Sequence, residues 1–144
     1  MDRQARILAI DDNEADVFLL KEALRREGLD CDLVWLTDGA EGLAYLCDQD
    51  AAANSPDCIL LDVNLPGIPA DHVLRTIREH PNLANTPVLV WSSKSQAAAP
   101  ITDQSNHTFF FEKSPSLREF LAIGAKIRTL VELRARWCTA GQEL

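Results

Sequence analysis

Cys58–Asp62 reads CILLD, and Val63–Gly67 continues as VNLPG. Four apolar residues without alternation read as a strand buried on both faces. The strand ends on Asp62, where an unpaired carboxylate is costly, so Asp62 needs partners from elsewhere in the chain. Working outward, the pattern recurs. Arg6–Ile10 (RILAI) is an apolar run followed at once by Asp11 and Asp12. Val88–Trp91 (VLVW) ends on Ser92, and Thr108–Phe111 (TFFF) leads to Lys113. Asp32–Leu36 (DLVWL) supplies one more strand.

Helical patterns fill the gaps. Asp12-Asn13 offers an N-cap, and Val17, Leu20 and Leu24 recur at helical spacing up to Gly28, a natural C-cap. Ala40–Cys47 and Asp71–Glu79 read as helices. Leu117–Trp137 reads as a long last helix with Leu117, Leu121, Ile127, Leu130 and Val131 facing inward. A fourth helix falls on Ser95–Asn106, where Pro100 predicts a short or kinked element. Alternating strands and helical crossovers predict an α/β fold. The natural arrangement is a flavodoxin-like, doubly wound, five-stranded parallel sheet of order 2-1-3-4-5 with five helices. Residues 1–144 read as a single domain, with its core at about 6–134 and the last helix extending to about 138.

Composition excludes several function classes. The net charge of −8 argues against nucleic-acid binding. The basic residues Lys126, Arg128, Arg134 and Arg136 are spread along the last helix as a solvated face. No apolar run is long enough to span a membrane, and the N-terminus lacks a basic-then-apolar signal pattern, so the expected location is cytoplasmic. Cys31, Cys47, Cys58 and Cys138 lack metal-ligand spacing and read as small hydrophobes, and the three histidines are scattered.

In the proposed strand order, strands 1, 3, 4 and 5 are neighbours and their carboxyl ends share one edge. Asp11, Asp12, Asp62, Ser92 and Lys113 therefore converge. Clustered carboxylates repel one another, and a hard cation such as Mg²⁺, which prefers oxygen ligands, relieves this. A carboxylate held by a cation and a lysine suits phosphoryl transfer, and a nearby hydroxyl can bond the product. Taken singly, Asp12 reads as a helix cap, Lys113 as a surface charge and Ser92 as a loop residue. There is no Gly-rich phosphate loop.

With Asp11-Asp12, LLDVNLPG (Leu60–Gly67), Pro87 to Ser92 and FFFEK in place, the chain resembles the receiver domain of two-component response regulators over roughly Arg6 to Arg134. DNEADVFLLKEAL (Asp12–Leu24) and EHPNLANTPV (Glu79–Val88) are most similar to single-domain regulators of phytochrome-type histidine kinases. The resemblance implies Asp62 as phosphoacceptor. It implies Mg²⁺ on Asp12 directly, on Asp11 through water, on Asp62 itself and on the backbone carbonyl of Asn64. It further implies Ser92 as the switch hydroxyl, Lys113 as the phosphate-binding cation and Phe110 as the aromatic switch. The implied partner is a sensor histidine kinase or a histidine phosphotransfer protein in a phosphorelay. Three features depart from the family pattern: Ser114 stands where proline usually follows the lysine, Pro69-Ala70 replaces Asp-Gly, and Asn106-His107 replaces Gly-Ala.

Two readings compete. One is a phospho-switch that changes protein–protein contacts and is not an enzyme beyond slow self-dephosphorylation. The other is a constitutive receiver-fold interaction module that is not phosphorylated. A dehalogenase-like phosphatase is disfavoured, because it needs an aspartate where Asn64 stands. On the first reading, Phe110 is expected to face inward. A homodimer is expected through the helix 4–strand 5–helix 5 face, with Phe120, Ile123 and Trp137 as contact candidates.

Overall fold

The structure, a computed structural model, describes residues 4–48, 55–93 and 107–142, with side chains to residue 136. Five parallel strands, β1 (Ala5–Ile10), β2 (Cys31–Leu36), β3 (Cys58–Asp62), β4 (Val88–Ser93) and β5 (Thr108–Lys113), form one sheet of order β2-β1-β3-β4-β5. This is the expected flavodoxin-like arrangement. The helices are α1 (Glu14–Glu27), α2 (Gly39–Leu46), α3 (Ala70–Glu79), α4 (Leu117–Leu121) and α5 (Ile123–Gln142). The helix expected over Ser95–Asn106 lies outside the described residues.

The unalternating strands are explained by two cores, one on each face of the sheet. Ile7, Ala9, Leu60, Leu89 and Trp91 pack with Leu20, Ala23 and Ile127 of α1 and α5. Leu8, Ile10, Ile59, Leu61, Val88 and Val90 pack with Leu46 of α2 and Val73, Leu74 and Ile77 of α3. Gly28 ends α1 at φ 72°, a left-handed conformation that glycine adopts without penalty. Gly124 lets α5 approach α1: a Cβ there would sit 2.5 Å from the carbonyl oxygen of Ala23.

The last helical segment corrects the sequence reading. It divides at Ala122, whose N–H bonds the Glu119 carbonyl three residues back, a tighter turn than the α-helix. The inner stripe is Phe120, Ile123, Ile127 and Leu130, all buried, while Leu117 is 53% exposed. Phe120 and Ile123 are therefore core residues, not the homodimer contacts expected of them. Phe120 packs its ring 5.8 Å from that of Trp91. The Trp137 side chain lies outside the described residues.

Candidate functional site

The site lies at the carboxyl edge of the sheet. β1 gives way to the acidic pair when the Asp11 N–H bonds the Leu36 carbonyl at 3.0 Å, the last sheet-like bond on that side. Asp11 is then held from three directions. Its Oδ1 accepts from the Asn13 N–H at 2.7 Å, its carbonyl oxygen accepts from Trp35 Nε1 at 2.7 Å, and its Oδ2 pairs with Lys113 Nζ at 3.0 Å. Asn13, not Asp12, caps α1: its side chain accepts from Ala15 N and Asp16 N at 2.9 and 3.3 Å. That leaves the exposed Asp12 carboxylate free of the capping role.

Asp62 is the last residue of β3 and only 4% exposed. Its Oδ1 accepts from the Asn64 N–H at 2.9 Å, and its Oδ2 lies 3.2 Å from Lys113 Nζ. Lys113 reaches the site from the end of β5, with its ammonium 4.6 Å from the centre of the Trp91 ring, within cation–π range. A third carboxylate, Asp16 of α1, stands 2.8 Å from the same Nζ. Asp11 and Lys113 meet although they are 102 positions apart in sequence.

Burial pushes the Asp11 carboxyl up to about 7, against the pull of the Lys113 charge and the Asn13 N–H, with the nearby Asp62 adding to the rise. Burial alone would lower Lys113. The hydrogen bond with Asp16 and the charges of Asp11 and Asp62 outweigh it, and the ammonium is held above its ordinary range. One carboxylate oxygen from each of Asp11, Asp12 and Asp62 lies within 4.8 Å of the others. Three hard oxygen donors this close together fit a small divalent cation that keeps part of its water shell. Asn64 also lines the cleft.

The structure thus brings Asp11, Asp12, Asp62, Asn64 and Lys113 together. Ser93, not Ser92, lines the cleft and stands opposite Lys113 in the β4–β5 register. By strand alternation Ser92 falls on the face of Val88 and Val90. Phe110 is 63% exposed, so the inward orientation expected for it is corrected: it points to solvent. The described residues contain no cis peptide, so Lys113–Ser114 is trans. Ser114 organises the loop that follows: its hydroxyl donates to Glu119 Oε2 and accepts from Ser116 N.

Asp16 and Trp35 were not among the sequence-derived candidates. Asp16 had only a weak signal, an acidic residue in the first turn of α1 just past the acidic pair, which reads equally as a complement to the helix dipole. Trp35 had none, because its role depends on the pairing of β1 with β2.

The response regulator receiver domain model matches residues 7–119. Response regulator Rcp1 of Synechocystis sp. is 34% identical over 116 residues, covering 78% of this chain and 79% of that one. Among solved structures, the phosphorylated cyanobacterial phytochrome response regulator RcpA is similar with a TM-score of 0.68 and 31% identity, covering 87% of this chain and 91% of that one. The Mn²⁺-bound form of Rcp1 follows with a TM-score of 0.67 and 29% identity, covering 87% and 92%. A match across most of the sheet, together with this edge of acids and lysine, leaves one conclusion: the chain belongs to the response regulator receiver-domain family.

Proposed function

We propose that this protein is a response regulator that accepts a phosphoryl group on Asp62, with Mg²⁺ held by Asp11, Asp12, Asp62 and the backbone carbonyl of Asn64. The observation that carries the reading is the convergence of Asp11, Asp62 and Lys113 at one sheet edge, with Lys113 Nζ 3.0 and 3.2 Å from the two carboxylates. The related RcpA structure is of a phosphorylated protein and the related Rcp1 structure is Mn²⁺-bound, which supports both parts of the proposal.

The donor is the phosphohistidine of a sensor histidine kinase, of phytochrome type by the character of these relatives, or of a histidine phosphotransfer protein. A lone pair on an Asp62 carboxylate oxygen forms the new O–P bond. The P–N bond to the donor histidine breaks, its electron pair returns to the imidazole, and that ring takes up a proton. Bound Mg²⁺ supplies positive charge for the phosphoryl oxygens. Lys113 supplies a second, fixed positive charge, and the buried wall of Trp91 excludes water behind it. A hydroxyl of Ser92 or Ser93 at the end of β4 bonds the phosphoryl group once it is in place. The chain is not otherwise an enzyme, and self-dephosphorylation is slow.

Residues 1–144 act as a single receiver domain. No helix of the described residues is long and apolar enough to cross a membrane, and the working location is cytoplasmic. The output is a change in protein–protein contacts, including a homodimer through β5 and α5; the helix 4 part of the expected face, over Ser95–Asn106, lies outside the described residues. Phe110, exposed on the edge strand β5, is the apolar residue that supports this face. Incubation with acetyl phosphate and Mg²⁺ tests the proposal: intact mass should rise by one phosphoryl group. A mass that stays unchanged would favour a constitutive interaction module instead.

A further inference from the structure

Lys113 carries three N–H donors and meets three carboxylates, Asp16 at 2.8 Å, Asp11 at 3.0 Å and Asp62 at 3.2 Å. The three are not equivalent. Asp11 and Asp62 belong to the compact oxygen group that fits a cation, and Asp16 does not. When a cation draws on Asp11 and Asp62, two of the three partners of the ammonium are shared. When Asp62 is phosphorylated, its carboxylate charge is consumed in the new bond. Of the three, Asp16 is the one that lies outside both the oxygen group and the acceptor position.

Its place is well fixed. Asp16 sits in the first turn of α1, where a negative side chain also complements the helix dipole. Its N–H bonds the Asn13 side chain, and the Asn13 N–H bonds Asp11 Oδ1, so one short chain of hydrogen bonds ties Asp16 to the acidic loop. The next residue, Val17, is buried, as is Leu20 one turn on, which anchors this part of α1 to the sheet. A lysine side chain is long and flexible, and a point charge is useful in transfer only when it is held where the phosphoryl oxygens arrive.

Resting on the receiver reading above, we propose that Asp16 is a positioning residue for phosphoryl transfer: it holds the Lys113 ammonium beside Asp62 while Asp11 and Asp62 are engaged elsewhere. Asp16 touches neither the phosphoryl group nor the cation and acts through Lys113.

The test compares the full-length wild type with Asp16→Asn and Asp16→Glu. At saturating Mg²⁺, acetyl phosphate should label Asp16→Asn roughly tenfold more slowly than wild type, the effect of weakening one charge-assisted hydrogen bond. Asp16→Glu, which keeps the anion, should recover most of the rate. A second readout uses metal-free protein and an amine-acylating reagent, followed by peptide mass analysis. Labelling of Lys113 should rise several-fold in Asp16→Asn, while Lys21 and Lys126 react as in wild type. Asp16→Ala repeats both measurements if the asparagine variant folds poorly. A wild-type rate in Asp16→Asn, or unchanged protection of Lys113, overturns the inference. If the wild type itself takes no phosphoryl group, the receiver reading fails instead, and the Lys113 labelling still decides whether Asp16 holds the ammonium.

Discussion

The indole N–H of Trp35 donates to the backbone carbonyl of Asp11 at 2.7 Å, joining β2 to the loop that carries the acidic pair. This bond fixes the direction in which the chain leaves β1. It therefore fixes where Asp11 and Asp12 present their carboxylates. Trp35→Phe keeps an aromatic ring and removes the donor, at a cost of about 1 kcal/mol. The variant should fold, and Mg²⁺ affinity should drop by roughly fivefold, the same energy expressed as an equilibrium constant. Isothermal titration with Mg²⁺ measures it, and an affinity equal to wild type would mean the loop holds its shape without the indole.

Asp11 gives the metal-free protein a defined pH dependence. Its carboxyl titrates near 7 in the folded chain against an ordinary value of 3.8, mainly through burial. Between those values the folded state binds more protons than the unfolded one, so this group's contribution to stability declines as pH rises through the window. Asp11→Asn removes the contribution. Urea unfolding in EDTA should show a wild type that loses stability relative to Asp11→Asn between about pH 4 and 7. Parallel pH profiles for the two proteins would show that Asp11 is not held high.

The paired serines at the end of β4 separate what the resemblance implies from what the cleft presents. Ser93 lines the cleft opposite Lys113, whereas Ser92 follows the face of Val88 and Val90. If the hydroxyl already in the cleft bonds the phosphoryl group, Ser93→Ala should shorten the phosphoryl lifetime more than Ser92→Ala. The reverse order would mean that Ser92 swings in after phosphorylation.

Phe110 bears on assembly. It is 63% exposed on the edge strand β5, so a homodimer formed through this face, as proposed, would cover it. Sedimentation at micromolar concentration should show a dimer for the wild type and weaker association for Phe110→Asp, with phosphoryl uptake intact. A wild type that stays monomeric in both phosphorylation states would end the dimer proposal.

Much of the fold was legible because buried parallel strands announce themselves as unalternating apolar runs, such as CILL and VLVW. Their order places Asp11, Asp62 and Lys113 at one edge of the sheet. What escaped the sequence depends on direction, not on element type. Whether Ser92 or Ser93 faces the cleft turns on the β4–β5 register, since one residue reverses the face. The outward Phe110 depends on the same alternation. Phe120 is expected at a homodimer contact when the inner stripe of the last helix is counted from Leu117. Starting from Phe120 instead, the spacing to Ile123, Ile127 and Leu130 is the true inner stripe.

The central claim is that Asp62 is the phosphoacceptor, and one comparison tests it most directly. Wild type and Asp62→Asn are incubated with acetyl phosphate and Mg²⁺, and intact mass is recorded over time. The account predicts one added phosphoryl group on the wild type and none on Asp62→Asn, because the amide is a poor nucleophile. Equal labelling of the two proteins would contradict it and place the acceptor on another residue.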